Sequence, residues 1–228
     1  MQLICPASTP VAFRDAVDAG ADAVQCGFAN ETNAQHEQAL HFTYDELADA
    51  IAYARPHGTQ VIVAIDSFMR AGAEDLWTKA VDIAVSLGAD AILITDIGLL
   101  AYAADKHPEQ RRHLAVQASA ATVPHLAFLT EAFGIRRAVL PRGLLVEDVV
   151  QIAANAPCEI EVAAGSLSRK RNGAHPGPSL DMLAHAEELA AAGVAALKVE
   201  DPPRGAAYIR SLRADLAALL PDDEAEAA

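Results

Sequence analysis

The segment LGADAILIT (residues 87–95) contains the pattern that decides the fold. A helix end is followed by a glycine that is able to take the left-handed capping conformation, and then by an apolar run typical of a strand. Three other segments have the same order: residues 19–24 (AGADAV), 133–139 (FGIRRAV) and 192–197 (AGVAAL). The repeat predicts helices and strands that alternate along the chain.

Eight apolar runs in 228 residues give about 28 residues per unit, which is close to a compact (β/α)8 barrel. The predicted strands are Leu3–Cys5, Ala23–Cys26, Gln60–Ile65, Ala91–Thr95, Leu114–Ala118, Arg137–Leu140, Glu159–Ala163 and Ala195–Val199. Amphipathic stretches between them include Pro10–Ala19, Tyr44–Ala54, Ala73–Leu87, Val123–Phe133, Val146–Asn155 and Ser179–Ala192. The sequence predicts a single α/β domain over residues 1–220, a parallel TIM-type barrel, followed by an acidic disordered tail at 221–228. The alternative is an open doubly wound sheet, but its glycine fingerprint is missing.

Composition narrows the class of protein. Hydrophobic residues make up 52% of the chain and charged residues 21%, which excludes a disordered chain. Lys+Arg 17 against Asp+Glu 31 gives a net charge of −14, which disfavours nucleic acid and anionic membranes as partners. Three scattered cysteines, no signal peptide and no long apolar stretch predict a cytoplasmic protein that is not embedded in a membrane.

The active sites of such barrels lie at the carboxyl ends of the strands. The predicted strands place a small polar set there: Cys5, Cys26, Asp66, Asp96, Gln117, Arg142, Ser166 and Glu200. The carboxylates of Asp66, Asp96 and Glu200 suit a divalent cation or acid–base catalysis. For the two aspartates, the alternative is that they cap the helices that follow.

Basic residues near the same strand ends predict an anionic ligand. Lys198 and Glu200 share one face of their strand, and Arg142 suits a bidentate clamp on a carboxylate or phosphate. The alternative for Arg142 is a salt bridge to an acid such as Glu147. The loop after the seventh strand contains Arg169 and Arg171, and is either a phosphate or carboxylate site or a solvated loop.

Motifs for known catalytic centres are absent from the sequence. The eight histidines form no HExxH pattern, and there is no CxxC, GxSxG, P-loop or GxGxxG. No metal site is therefore predicted, although a divalent ion stays open as an alternative. His113 is kept as a candidate because it opens a strand that enters the barrel.

Several motifs resemble peptidase family U32, the collagenase-like peptidases, whose relatives include RNA and ubiquinone hydroxylation proteins. Residues 16–27 (AVDAGADAVQCG) resemble the family's AVDAGADAVYFG, and residues 113–119 (HLAVQAS) resemble HVSTQAS. Residues 139–142 (VLPR) and 192–200 (AGVAALKVE) resemble VLPRELS and AGVDSLKIEGR. Residues 3–7 (LICPA), 33–35 (NAQ) and 89–98 (ADAILITDIG) resemble LLCPAG, Asn-Ala-Arg and VDALIVQDLG. The resemblance implies an αβ barrel, and these motifs carry over the residues Cys5, Asn33, Asp96, His113, Gln117, Arg142, Lys198 and Glu200.

The departures from the family concern its chemistry. Ala164 stands where the family has a histidine, and the cysteine-bearing insertion that follows is absent. Cys158 precedes its strand, so three separated cysteines are not expected to hold the iron–sulfur cluster of the hydroxylase relatives. No cofactor is therefore predicted.

The sequence therefore predicts an enzyme, a peptidase or hydrolase by family resemblance, that acts on a small anionic or peptide-like ligand at the barrel mouth. Candidate catalytic residues are Glu200, His113 and Asp96; candidate ligand-binding residues are Arg142, Lys198, Gln117, Asn33, Cys5, Arg169 and Arg171. The alternatives are oxygen transfer to a ubiquinone precursor or RNA, and a non-catalytic accessory barrel. A homo-oligomer or a heterodimer with a related barrel is a further expectation.

Overall fold

A computed structural model of the chain describes residues 1–34, 42–116, 121–164, 182–199 and 206–220. Eight parallel strands close into a barrel in sequence order, with the last strand paired to the first. They are β1 (Gln2–Pro6), β2 (Ala23–Gly27), β3 (Gln60–Ile65), β4 (Ala91–Ile94), β5 (Arg111–Ala115), β6 (Ile135–Val139), β7 (Glu159–Ala163) and β8 (Val194–Lys198). The predicted (β/α)8 barrel is confirmed, and the open doubly wound sheet is excluded.

A helix follows each strand. The helices are α1 (Pro10–Asp18), α2 (Tyr44–Ala54), α3 (Asp75–Leu87), α4 (Ile97–Lys106), α5 (Val123–Phe133), α6 (Val146–Asn155), α7 (Ala186–Ala191) and α8 (Ala206–Leu219), with 3-10 turns at Arg55–His57 and Met182–His185. Helix α2 shows how the sequence fixes a start: the Glu46 N–H donates to Thr43 Oγ1 at 3.3 Å, and the Thr43 N–H donates to Glu46 Oε2 at 2.9 Å. Within the described ranges, none of the helices is both long and apolar enough to cross a membrane.

Several predicted boundaries were wrong, among them those of β5, α3 and the stretch before β8. Strand β5 begins at Arg111 rather than Leu114, because its charged residues find polar partners inside the barrel. Helix α3 begins at Asp75 rather than Ala73, whose N–H closes a turn onto the Arg70 carbonyl. The stretch predicted as one helix over 179–192 is described from Met182, and it divides into a 3-10 turn and the short α7.

The Gly-Ala-Asp repeat has a structural explanation. The glycines of all four repeats, at positions 20, 88, 134 and 193, have φ between 62° and 93°, the left-handed region in which a side chain is strained. The aspartate two residues after the glycine reaches the preceding strand: the Leu3 N–H donates to Asp22 at 2.8 Å, and the Val61 N–H donates to Asp90 at 2.7 Å. Each glycine therefore ends a helix, and in the two repeats that contain Asp22 and Asp90 the aspartate also fixes the start of the preceding strand.

The barrel interior is divided into two halves. Along β4, Ile92 and Ile94 pack outward against the helices, whereas Ala91 and Leu93 point into the barrel, so all four residues are buried. The interior apolar cluster is formed by Ile4, Ala23, Ile62, Ala64, Ala91, Leu93 and Ala196, which come mainly from β1 to β4. The inward positions of β5 to β8 hold charged side chains beside apolar residues such as Ala115, Val139 and Ala196, and that half positions the candidate site.

Candidate functional site

A cavity of about 400 Å³ opens at the carboxyl ends of the strands, the end at which the sequence predicted the site. We call it the mouth cavity. Its lining residues are Pro6, Gln25, Ala115, Val116, Val139, Leu140, Pro141, Arg142, Ala163 and Lys198. Most of its wall is contributed by β5 to β8 and the loops that follow them.

Two cations line the mouth cavity. Lys198 is the last residue of β8 and lies on the same inward face as Ala196, so its half-buried side chain enters the cavity. Arg142 lies in the loop after β6. This loop leaves the barrel after Leu140, whose N–H donates to the Glu161 carbonyl at 2.9 Å. No acidic side chain is among the described lining residues. The cavity therefore presents positive charge in a protein whose net charge is −14.

Beneath the mouth cavity lies a group of ionisable side chains, of which only His113 was predicted as a site residue from the sequence. It consists of Arg111, His113, Arg137, Glu159 and Glu161, which we call the interior charge cluster. Glu159 accepts hydrogen bonds from Arg111 Nη2 and, at 2.8 Å, from Arg137 Nε. These partners are what allow charged residues to occupy the inside of the barrel. The signal was present as charged residues two positions apart in β5 and β7, where alternation places both on one face.

Glu161 is the least satisfied member of the cluster. Its side chain is 1% exposed, its Oε2 lies 3.6 Å from Arg137 Nη1, and its Oε1 has no hydrogen-bond partner within the described part of the chain. Burial raises the pKa of Glu161, and the nearby charges of Lys198 and Arg137 only partly offset that effect. Two residues further along β7 is Ala163, which lines the cavity, so the carboxyl group lies one layer below the cavity floor.

His113 also lies in this lower layer and not at the cavity wall. It is 2% exposed, and Arg111 Nε donates to its Nε2 at 3.2 Å, which assigns the ring proton to Nδ1. Burial and the charges of Arg137 and Arg111 lower the pKa of His113 to about 3. The ring is therefore neutral at neutral pH.

The other described candidates lie around the barrel end or outside the barrel. Asp96 caps α4, since the Leu99 N–H donates to its Oδ1 at 3.0 Å, and its Oδ2 accepts from the Met69 N–H at 3.2 Å. Asn33 is buried in the loop after β2, close against the Gly27 backbone. Cys5 points outward from β1 into the core between strands and helices. Of the predicted site residues, the structure thus brings Lys198 and Arg142 together in one cavity.

Asp66 connects two loops at this end of the barrel: its Oδ1 accepts from the Ala34 N–H at 2.9 Å. Five of the predicted strand-end and site residues lie outside the described residues: Gln117, Ser166, Arg169, Arg171 and Glu200.

Residues 8–167 match the model of peptidase family U32. The chain belongs to this family. It is 27% identical over 155 residues to an uncharacterized protease of Methanocaldococcus jannaschii, a match that covers 68% of this chain and 37% of that protein. It is 28% identical over 162 residues to tRNA hydroxylation protein P of Escherichia coli K12, covering 71% of this chain and 35% of that protein. This U32 chain therefore matches little more than a third of the length of either relative.

Solved structures with the same architecture include one U32 peptidase and one protein that is not named as a U32 member. The U32 peptidase structure has a TM-score of 0.54 at 20% identity, covering 75% of this chain and 72% of that chain. DHDPS from Cyanidioschyzon merolae, solved with lysine bound, has a TM-score of 0.64 at 14% identity, covering 96% of this chain and 75% of that chain. At these identities the likeness concerns the fold alone.

The cysteines of this U32 barrel do not fit an iron–sulfur cluster. Burial raises the pKa of both Cys5 and Cys26 to about 12, which opposes the thiolate form that ligates iron. Cys158 precedes β7, at the opposite end of the barrel from the mouth cavity. Among the described residues, no three His, Cys, Asp or Glu side chains are grouped in a way that would hold a metal ion.

Proposed function

We propose that this U32 barrel is an enzyme that binds a small anionic or peptide-like molecule in the mouth cavity and acts on it there. The observation that carries the proposal is that two cations, Lys198 and Arg142, line the same cavity at the carboxyl ends of the strands. A volume of about 400 Å³ lies within the range of small-molecule sites. The ligand we expect is a carboxylate attached to a short apolar or peptide chain.

Each part of the lining has a distinct contribution to binding. Lys198 supplies a point charge at the cavity floor, and Arg142 supplies a planar fork that matches a carboxylate. Gln25 offers an amide that can both donate to and accept from a peptide group. Val139 and Leu140 form an apolar wall against which the carbon chain of the ligand would pack.

The family's peptidase label supports hydrolysis as the reaction. Hydrolysis of an amide consumes one water molecule and releases a carboxylate and an amine. A carbonyl oxygen bound next to Lys198 would have its developing negative charge stabilised there. Binding without turnover would instead favour an accessory barrel.

Oxygen transfer to a ubiquinone precursor or RNA is the second candidate, and the similarity to tRNA hydroxylation protein P favours it. Two properties of this chain count against it. Its cysteines do not fit the cluster expected for such relatives, and a net charge of −14 opposes RNA binding. We therefore rank it below a small-ligand enzyme.

The test is isothermal titration calorimetry with succinate and an N-acetylated dipeptide, followed by measurement of amine release. Lys198→Met and Arg142→Met should each weaken binding by about ten- to a hundredfold, the equivalent of one charge-assisted hydrogen bond. Lys79→Met, on the exposed face of α3, is the matched control and should bind like the wild type. Equal affinities in all four proteins, or no binding by any of them, would contradict the proposal.

A further inference from the structure

We infer that Glu161 is a specificity-determining residue of the mouth cavity, because it faces Lys198 from below and makes the binding of an oxyanion depend on the uptake of a proton. The inference rests on the proposed function and deepens it: it concerns the charge of the ligand that the same cavity accepts. Glu161 acts through Lys198 and is not itself part of the cavity wall.

The strand register gives this arrangement. β7 and β8 are neighbours, with Ala163 paired to Lys198 and Glu161 paired to Ala196. All four residues point into the barrel, so the Glu161 carboxyl group lies one layer beneath the Lys198 side chain. The attraction of Lys198 is the strongest effect of any single charge on Glu161.

The other ionisable groups that face Glu161 come from β5, β6 and β7. From β6, Arg137 Nη1 lies 3.6 Å from the carboxylate, and from β5 Arg111 also faces the interior, where it donates to Glu159. His113, on β5, has a pKa of about 3 and is neutral. Burial raises the pKa of Glu159, but hydrogen bonds from Arg111 and Arg137 outweigh it and leave that pKa below its ordinary value.

Glu161 differs from Glu159 because its contacts are poor and its burial is nearly complete. Its Oε1 is without a hydrogen-bond partner within the described ranges, whereas both oxygens of Glu159 are held by arginines. Within the interior charge cluster, Glu161 is therefore the carboxyl group that can gain or lose a proton as its surroundings change.

Oxyanion binding and protonation of Glu161 then favour each other. When Glu161 is ionised, it offsets the charge of Lys198 and repels an anion in the cavity; when it is protonated, Lys198 is fully available. Affinity for an anion is therefore highest at acidic pH and falls as the pH rises through the pKa of Glu161. If one proton is taken up for each anion bound, affinity changes by about tenfold per pH unit in that range.

The experiment is calorimetric titration with sodium sulfate, which remains fully ionised from about pH 5 to about pH 9, in two buffers that differ in ionisation enthalpy. Wild type and the control Glu187→Gln, an exposed site on α7, should take up protons on binding and lose affinity as the pH rises. Glu161→Gln should bind sulfate without this proton uptake, and at the alkaline end it should bind at least tenfold more tightly than the wild type.

The outcomes separate the two proposals. Absence of sulfate binding by every protein would overturn the proposed function together with this inference. Binding with the same pH dependence in the wild type and in Glu161→Gln would overturn the inference alone. If Glu161→Gln fails to fold, the wild-type measurement still decides, because equal apparent heats in the two buffers mean that no proton is taken up and the inference is wrong.

Discussion

Acidification should destabilise the fold through His113, and replacing that residue should remove the effect. The neutral ring is enclosed in the barrel, where burial and the charges of Arg137 and Arg111 lower its pKa from 6.5 to about 3. In the unfolded chain the same imidazole gains a proton near its ordinary pKa. The folded pKa is depressed, so the stability from this group is complete above the unfolded value and is lost as the pH falls toward the folded value.

The size of the effect follows from the two pKa values. On acidification from neutral pH to about pH 4.5, the imidazole becomes protonated in the unfolded chain but stays neutral in the folded chain. The pH then lies about two units below the unfolded pKa, so the free energy of unfolding falls by about 2.5 kcal/mol. Glu161 has the opposite sign, because its folded pKa is raised and the folded state takes up its proton first as the pH falls. The His113 contribution is therefore best measured in a Glu161→Gln background.

The assay is urea unfolding at the two pH values, with His113→Gln compared with His125→Gln on α5. The His125→Gln protein should lose stability on acidification as its parent does, whereas His113→Gln should retain about 2.5 kcal/mol more at the lower pH relative to its own value at neutral pH. Identical slopes in the two variants would show that His113 is protonated inside the barrel, and the reasoning would be refuted.

Two further substitutions test the interior and the repeat. Arg137→Met should destabilise the protein by about 1 to 3 kcal/mol at neutral pH, because Glu159, which is 38% exposed and keeps Arg111, loses one hydrogen-bond partner and buried Glu161 loses the guanidinium 3.6 Å away. The deficit should shrink in acid, since the lowered pKa of Glu159 means that its stabilisation disappears as the pH falls; a pH-independent deficit in urea unfolding would contradict this account. Asp90→Ala should cost about 1 to 3 kcal/mol, because the Val61 N–H loses its acceptor, whereas Asp105→Ala on the exposed face of α4 should be nearly neutral in thermal unfolding. Equal effects of these last two would indicate that the Asp90 contact contributes nothing.

The fold could be predicted because several local signals point to the same answer. The glycines of the repeats permit the left-handed backbone that ends each helix, and runs such as residues 91–94 are apolar on both faces, which suits strands enclosed by helices. Closure into a barrel then follows from the number and spacing of the units.

The chemistry of the interior could not be predicted in the same way. Hydrophobicity placed the start of β5 at Leu114, because Arg111 and His113 look unfavourable in a buried strand until Glu159, forty-eight residues away from Arg111, is recognised as a partner. The role of Asp96 could not be predicted for a different reason. A carboxylate directly after a strand is equally suited to cap a helix or to enter a site, and only the contacts of its two oxygens distinguish these roles.

A contribution to stability does not explain why a glutamate occupies position 161 in the barrel interior. Glu159 is held by two arginines and so contributes to the barrel, whereas Glu161 is almost fully buried with one long ion pair and an unpartnered oxygen among the described residues. Burying a charge with so few contacts is costly, and an apolar side chain of similar size is often at least as stable in such a position. The carboxyl group lies beneath Lys198 in the half of the barrel that also forms the mouth cavity. A residue that weakens the barrel at this position is best explained by an effect on the ligand bound above it.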